Sequence, residues 1–322
     1  MLAIILLAQT LTLSVSGPPT SPEYLPLRVA EAEGYFSREG LSITLRTTRA
    51  EVGAAEALAQ GQVDLAATSL EAMLRFGPRT EKQQSRVVFG LTAGPPVAVL
   101  ASTALEGTIR SVQNLVGLKI GMSAPGGPEH TWFAGLLSRA GVRITQVELV
   151  SLGTRGLVAA VEAGDVQAGL VPEPYASRLV AEGRARMLAD LRTPDGVKQA
   201  LGVPTLNAAV FLRADRRPAD RDLVAFSRAM LAAERRIATA PPEVLAEHLP
   251  RGVVGIQDEF ERKLDAVRAV YLPDGAVSPE QIRESIGLIR AHLALPPTLW
   301  LGPPDTMLHS GPLKRATQAP AR

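Results

Sequence analysis

The residues best suited to bind a ligand lie in a glycine-rich turn and the helix start that follows it, residues 123–131 (SAPGGPEHT). Pro128 is typical of the first position of a helix, where the backbone N–H groups have no partner within the helix. Those N–H groups and the helix dipole can hold an anion without any basic side chain. We therefore predict ligand contacts from five residues of this segment: Ser123, Gly126, Gly127, His130 and Thr131. A plain strand-to-helix turn is the alternative interpretation.

A second candidate is Glu173 in the sequence Pro172-Glu173-Pro174-Tyr175, which follows an apolar strand pattern. Its carboxylate can hold an ammonium or hydroxyl group of a ligand, and Tyr175 can offer a ring face or a phenol. The alternative for Glu173 is a surface glutamate at a helix start, a favourable position in the helix dipole. The alternative for Tyr175 is a side chain that packs at the rim of a cleft.

Further candidate ligand contacts lie at or after the ends of the strands predicted in the first quarter of the chain. They are Ser16, Gly17, Tyr24, Thr68 and Ser69. Hydroxyl groups at strand ends suit a polar ligand, although N-capping of the next helix alone would explain Ser69. Arg49 follows another strand and is either a contact for an anionic group or an ordinary exposed arginine.

The sequence contains no signature of a known catalytic or metal site. GxSxG, P-loop, HExxH and strand-linked GxGxxG motifs are all missing. His130 has no second metal ligand four residues further on, so we do not predict that it binds a metal. The chain has no cysteine, which excludes disulfides, thiolate metal sites and thiol nucleophiles. We predict no catalytic residue, no metal and no cofactor.

Alternating strands and helices position these candidates. From residue 11 to residue 180, short strand patterns alternate with helical patterns, which is typical of βαβ units and a mostly parallel sheet. The segment ALAQGQVDLA (57–66) has a counterpart in AVEAGDVQAG (160–169), each with a glycine that ends a helix before the next strand. We interpret the two stretches as lobes of similar topology, with a ligand crevice between the carboxyl ends of their strands. Coincidental similarity within one α/β chain is the alternative.

Both ends of the chain differ from this pattern. Apolar residues three and four apart predict amphipathic helices after residue 212, and the absence of any period after Gly302 predicts a disordered tail over 302–322. Residues 1–8 (MLAIILLA) form an apolar run far shorter than the roughly 20 residues that span a bilayer. The run is similar to the core of a secretory signal, although no Lys or Arg precedes it. We predict an export signal in residues 1–10, cleaved near Ala8 to Thr10, with a buried strand as the alternative.

The charge of the chain is nearly balanced. There are 34 basic and 32 acidic residues among 322, a formal net charge of +2. A protein that binds nucleic acid through its backbone phosphates needs a concentrated basic surface. We therefore predict that nucleic acid is not a partner.

Four longer segments carry a resemblance to a known family. They are LPLRVAEAEGYFSREGLSITL (25–45), EALAQGQVDLAATS (56–69), LVGLKIGMSAPGGPEHTWFAGLLSRAGV (115–142) and AAVEAGDVQAGLVPEPYASRL (159–179). In order and spacing they resemble the nitrate/sulfonate/taurine-type substrate-binding proteins, a family that also contains binders of thiamine pyrimidine precursors. The resemblance implies an α/β, two-lobed periplasmic-binding-protein (type 2) fold, in which each lobe is a mostly parallel sheet flanked by helices. The implied division is lobe 1 at 11–97, lobe 2 at 98–206, and a return to lobe 1 with C-terminal helices at 207–301.

The resemblance also implies a function. A protein of this kind is a monomeric, periplasmic receptor of an ABC importer, which captures a small solute between its lobes and delivers it to a permease and its ATPase. An anionic or zwitterionic solute such as nitrate, a sulfonate or taurine fits the helix start, and the family counterpart of Glu173 faces the cleft. The alternatives are a ligand-sensing domain and an enzyme on the same fold, of the menaquinone-precursor type, with His130 or Glu173 as its acid–base residue. The related pyrimidine-precursor synthases need a cysteine-rich motif, which this chain lacks.

Overall fold

The computed structural model describes residues 10–48, 51–104, 109–123 and 126–318, and within these ranges the strands form two five-stranded sheets. The first contains β1 (Thr10–Val15), β2 (Ser42–Thr47), β3 (Leu65–Ser69), β4 (Ser85–Thr92) and β10 (Ala208–Arg213), in the order β2-β1-β3-β10-β4. The second contains β5 (Val97–Ser102), β6 (Lys119–Met122), β7 (Glu148–Ser151), β8 (Ala168–Pro172) and β9 (Ala185–Asp190), in the order β7-β6-β8-β5-β9. Arg49 and the predicted signal segment up to residue 9 lie outside the described residues.

Four of the five strands in each sheet point in the same direction. In the first sheet, β1 pairs in parallel with β2 and β3, whereas β10 runs antiparallel to β3 and β4. In the second sheet, β6 pairs in parallel with β7 and β8, whereas β5 runs antiparallel to β8 and β9. The antiparallel strand takes the fourth place in both sheets. The prediction of two similar units with mostly parallel strands is therefore confirmed.

Helices flank both sheets. Their bounds are α1 Leu25–Ala32, α2 Tyr35–Arg38, α3 Glu51–Ala59, α4 Leu70–Phe76, α5 Pro128–Arg139, α6 Gly153–Ala163, α7 Tyr175–Ala181, α8 Pro194–Leu201, α9 Asp220–Thr239, α10 Pro242–His248, α11 Arg251–Val254, α12 Gln257–Val267, α13 Pro279–His292 and α14 Gly311–Gln318. At the end of α6, Gly164 has φ 79°, a left-handed conformation that favours glycine and stops the helix before β8. None of the helices in the described ranges has the length and apolar content needed to cross a membrane.

The chain passes between the two sheets twice. β4 leads into β5 through residues 93–96, and α8 leads into β10 through residues 202–207. The two crossing segments are joined, because the hydroxyl of Thr205 donates to the carbonyl oxygen of Ala93 at 2.7 Å. Trp132, fully buried on α5, donates from Nε1 to the hydroxyl oxygen of Thr205 at 3.4 Å. The crossings are thus fixed to each other and to the first long helix of the second unit.

Apolar packing holds the helices on the sheets. Phe36 of α2 stacks on Phe226 of α9, with ring centroids 5.7 Å apart, in the core of the first unit. A second cluster runs from Leu70 on α4 through Trp132 on α5 to Ile286 on α13, and so it includes residues of both units. Each large apolar side chain that is fully buried contributes about 1.5–3 kcal/mol relative to exposure. This shared cluster stabilises the contact between the two units.

The prediction of a disordered tail is wrong for the residues up to 318. Pro304–Met307 forms a short 3-10 helix, and α14 packs along α9. Leu313 and Ala316 are buried in this contact, and the guanidinium of Arg315 binds Asp220 at 2.7 Å. The apolar residues are too few to give a helical period in the sequence, but packing on α9 is enough to order the segment. Residues 319–322 lie outside the described ranges.

Candidate functional site

The carboxyl ends of the parallel strands place most of the predicted contacts between the two sheets. β1 and β3 deliver Ser16 and Ser69 from the first sheet, and β6 and β8 deliver Ser123 and Glu173 from the second. α4 begins directly after β3, and its first turn contacts the first turn of α5. We take the region between these strand ends as the candidate crevice, because it is the usual ligand position in open α/β sheets.

Hydroxyl groups of the first lobe bond to each other at the floor of this crevice. The side chain of Ser16 donates to Thr68 Oγ1 at 2.9 Å, and both residues are fully buried. The hydroxyl oxygen of Ser69 accepts from the backbone N–H of Ala72 at 3.1 Å and so caps α4. Gly17 follows with φ 71°, which turns the chain away from β1. The structure thus brings these four predicted residues together at the ends of two adjacent strands.

In the second lobe, the predicted glycine-rich turn leads into α5 as expected. Gly127 is the N-cap of the helix, and Gly126 before it is exposed with φ 82°. The hydroxyl of Ser123 donates to Glu129 Oε2 at 3.1 Å, while His130 is half-buried on the first turn. Residues 124–125 of the turn lie outside the described ranges.

Glu71 and Arg75 of α4 connect the first lobe to this turn. The hydroxyl of Thr131 donates to Glu71 Oε2 at 2.7 Å, and Glu71 is 2% exposed. Arg75 lies 3.3 Å from Glu71 Oε1 and donates to the carbonyl oxygen of Gly126 at 3.1 Å. Burial raises the pKa of the Glu71 carboxyl, and Thr131 and Arg75 act in the opposite direction. These four residues, which we call the α4–α5 clasp, hold the two lobes together at the crevice.

Glu129 is a further residue of this turn that sequence reasoning missed. It is half-buried, and burial raises the pKa of its carboxyl to about 7, although the hydrogen bond from Ser123 lowers it. Acidic residues in first helical turns are common because they complement the helix dipole. Residue type and position therefore did not distinguish Glu129 or Glu71 from ordinary helix-start glutamates.

Glu173 follows directly after β8 and is paired within the second lobe. It is 5% exposed, and the peptide bond to Pro174 is cis. Its carboxylate accepts from the hydroxyl of Ser177 at 2.9 Å and forms an ion pair with Arg192. Arg192 is held in turn by Asp190, at 2.9 Å. The charge of Glu173 is therefore compensated inside the second lobe.

The two predicted tyrosines have separate surroundings. Tyr24 is 4% exposed and packs in the apolar core of the first lobe with Leu27 and Phe226. Tyr175 is half-buried at the start of α7, where burial and the carboxylate of Glu259 on α12 raise its pKa. Tyr175 thus contacts the C-terminal helical region, whereas Tyr24 belongs to the core of the first lobe.

A large surface groove lies away from this crevice. It encloses about 1070 Å³ on the outer side of the first lobe, between α2, α9 and α14. Its arginines are accompanied by acids, as in the pairs Arg228–Glu39 at 3.6 Å and Arg221–Asp222 at 3.2 Å. None of the predicted contacts lines this groove, so its size alone does not make it the ligand site.

Two α/β lobes of matching topology, joined by two crossings and closed over polar strand ends, define a periplasmic-binding-protein fold. The chain belongs to the NMT1-like family, whose model matches residues 19–244. This confirms the family resemblance that the sequence indicates. None of the curated protein sequences compared with the chain matches it.

Solved structures extend the similarity over nearly the whole chain. A protein of Bordetella bronchiseptica RB50 has 22% identity and a TM-score of 0.71, and the match covers 96% of this chain and 97% of that one. The alkanesulfonate-binding protein SsuA of Xanthomonas axonopodis pv. citri, bound to MOPS, has 17% identity and a TM-score of 0.63, with 93% and 97% covered. The periplasmic nitrate-binding protein NrtA of Synechocystis PCC 6803 has 16% identity and a TM-score of 0.53, with 81% and 69% covered. At these identities the likeness establishes the fold.

Proposed function

We propose that the protein is the solute-binding receptor of an ABC importer and captures a small solute in the crevice between its lobes. The observation that carries the proposal is the α4–α5 clasp, which joins the first turn after β3 to the first turn after β6. Such a contact exists only when the lobes are close together. Solute contacts available only in that state would shift the population towards it.

The proposed lobes follow the two sheets, apart from Val97, which begins β5 of the second sheet. Lobe 1 comprises residues 11–97 with the return at 207–301, and lobe 2 comprises residues 98–206. We propose a monomer that acts in the periplasm, after export, and presents its closed form to a permease and its ATPase. The sulfonate-binding and nitrate-binding proteins that share the fold support this role. We propose binding without catalysis.

The proposed solute contacts are the strand ends and the first turn of α5. They are Ser16, Gly17, Thr68, Ser69, Ser123, Gly126, Gly127, His130 and Thr131. We propose that Tyr24 supports this wall from the core of the first lobe and that Tyr175 borders the opposite side of the crevice. Because Arg192 already compensates Glu173, we propose that Glu173 fixes the end of β8 and does not itself hold an ammonium. The solute class is a small anion or zwitterion of the nitrate, sulfonate or taurine kind.

A thermal-shift panel of small anions, sulfonates, amino-acid analogues and pyrimidines tests the proposal. A solute that binds the folded state raises the melting temperature by mass action. X-ray scattering with and without the stabilising solute then measures closure, and we expect a smaller radius of gyration in its presence. A panel without any stabilising compound, or scattering curves that coincide, would contradict a receptor that closes on a solute.

A further inference from the structure

Three side-chain acceptors gather around the contact between α4 and α5. Glu71 and Glu129 bring carboxylates to the first turn of α5, one from each lobe. Asn207 lies beside the start of α4, because its carbonyl oxygen accepts from the N–H of Leu70 at 2.6 Å. Asn207 is 3% exposed, its Nδ2 group is bonded within the chain, and its Oδ1 atom has no hydrogen-bond partner among the described residues. Glu71, Glu129 and Asn207 thus bring three side-chain acceptors to this part of the crevice.

Three side-chain donors at the same place are already used. Thr131 donates to Glu71, Ser123 donates to Glu129, and the guanidinium of Arg75 is shared between Glu71 and a backbone carbonyl. A simple oxoanion beside Glu129 would meet a carboxylate that has no ion-pair partner among the described residues, and like charges repel each other strongly in a half-buried site. A ligand that brings N–H donors and positive charge fits the arrangement better.

We propose that the solute carries an ammonium or a similar cationic N–H group that binds the carboxylate of Glu129, so that Glu129 determines the specificity of the crevice. The inference rests on the proposed function and shifts its solute class from simple anions towards ligands with an ammonium. A zwitterion with an ammonium, or a small organic cation, fits; nitrate and simple sulfonates do not. Hydrogen bonds between ionised partners are about twice as strong as those between neutral partners. A bond of this strength to Glu129 is enough to discriminate between solutes with and without an ammonium.

The pairing of the other carboxylates singles out Glu129. Glu71 is bonded to Thr131 and Arg75, and Glu173 is bonded to Arg192. Among the described residues, Glu129 accepts from the neutral hydroxyl of Ser123 and forms no ion pair. Burial raises the pKa of Glu129 to about 7, so its ionised form is poorly compensated. A cationic ligand supplies the missing compensation.

Matched probe pairs test the inference. Taurine and isethionate differ only in an ammonium or a hydroxyl, as do β-alanine and 3-hydroxypropionate, and ethanolamine and ethylene glycol. We expect the ammonium member of at least one pair to bind at least tenfold more tightly than its partner, as measured by calorimetry. Glu129→Gln should then weaken that member on the order of 10- to 100-fold, the loss of one charged hydrogen bond. Glu247→Gln, on the exposed side of α10, is the control and should change nothing.

The possible outcomes separate this inference from the proposed function. If an oxoanion such as nitrate or isethionate binds as tightly as the ammonium probes, the solute-class inference fails, while solute binding stands. A weakening of less than twofold in Glu129→Gln also overturns it. The preference within a probe pair is measured on the unmodified protein. It therefore tests the solute-class inference even if Glu129→Gln does not fold. Only a broad panel with no stabilising compound of any class would overturn the receptor function as well.

Discussion

Glu234, in the middle of α9, makes the folded protein sensitive to pH. Its Oε1 atom is buried and has no hydrogen-bond partner among the described residues. Burial raises the pKa of its carboxyl to about 9, from an ordinary value of 4.5, and the negative charge of Asp274 adds to the effect. At neutral pH the folded state therefore keeps Glu234 protonated, whereas the unfolded chain ionises it.

The sign of the effect follows from these two pKa values. Because the folded value is the higher one, the contribution to stability is fully present below about pH 4.5 and is lost as the pH rises towards 9. One pKa unit corresponds to about 1.36 kcal/mol, so the loss at pH 7 amounts to about 3 kcal/mol. Glu234→Gln removes the ionisation and should raise the free energy of unfolding at pH 7 by about 2–3 kcal/mol, allowing for partial solvent contact.

Urea unfolding of the unmodified protein and of Glu234→Gln at pH 7 and pH 4 measures the effect. We expect the variant to be more stable at pH 7 and the difference to shrink to within about 0.5 kcal/mol at pH 4, where both states are protonated. Glu247→Gln, on an exposed glutamate, is the control and should match the unmodified protein at both pH values. An equal gain at both pH values, or a loss of stability at pH 7, would refute the assignment of a protonated Glu234.

Three shorter predictions concern the ion pair, the clasp and the C-terminal helix. Arg192→Met should lower the free energy of unfolding by about 3–5 kcal/mol, because it leaves Glu173 buried without its cation, and adding Glu173→Gln should recover most of the loss in urea unfolding. Glu71→Ala removes a charged hydrogen bond between the lobes, of about 1.5–3 kcal/mol, and should increase the radius of gyration of the ligand-free protein in scattering. Leu313→Ala should cost about 2 kcal/mol in thermal or urea unfolding if α14 packs on α9 in solution, and no cost would contradict that packing.

Elements with a clear local signal were predictable from the sequence. α5 begins at the predicted Pro128, and strands and helices alternate as predicted from β6 to α7. Glycines in the left-handed conformation mark the ends of helices, as at Gly141 with φ 76° and Gly164 with φ 79°. In each case a short stretch of sequence is sufficient to predict where the helix begins or ends, because steric and hydrogen-bonding preferences act between near neighbours.

The antiparallel strands had no such signal. Residues 97–102 of β5 are all buried, so the strand shows no alternation of apolar and polar side chains. Its direction relative to β8 and the direction of β10 relative to β3 depend on how the chain crosses between the sheets. Long-range pairing of this kind is not encoded in any local period.

The candidate site was likewise predictable in its location but not in its long-range contacts. Its location at strand ends was predictable, since parallel strands deliver their carboxyl ends to one edge. The partner of Glu173 was not, because Arg192 follows β9, a strand with no clear sequence pattern, and lies 19 residues further along the chain. A carboxylate that looks available in the sequence is thus already paired in the fold.

Glu71 and Glu129 connect the proposed preference for an ammonium-bearing solute with the closure of the two lobes. Glu129 belongs to the first turn of α5, and Glu71 of the other lobe reaches that turn only when the lobes are close. Burial of Glu129 raises the free energy of its ionised form, and a cationic group bound beside it lowers that free energy again. An ammonium-bearing solute therefore stabilises the closed form more than the open form, whereas a neutral analogue of the same shape has no such differential effect. In scattering, taurine should therefore compact the protein at a concentration where isethionate does not, and equal compaction by both would break this link.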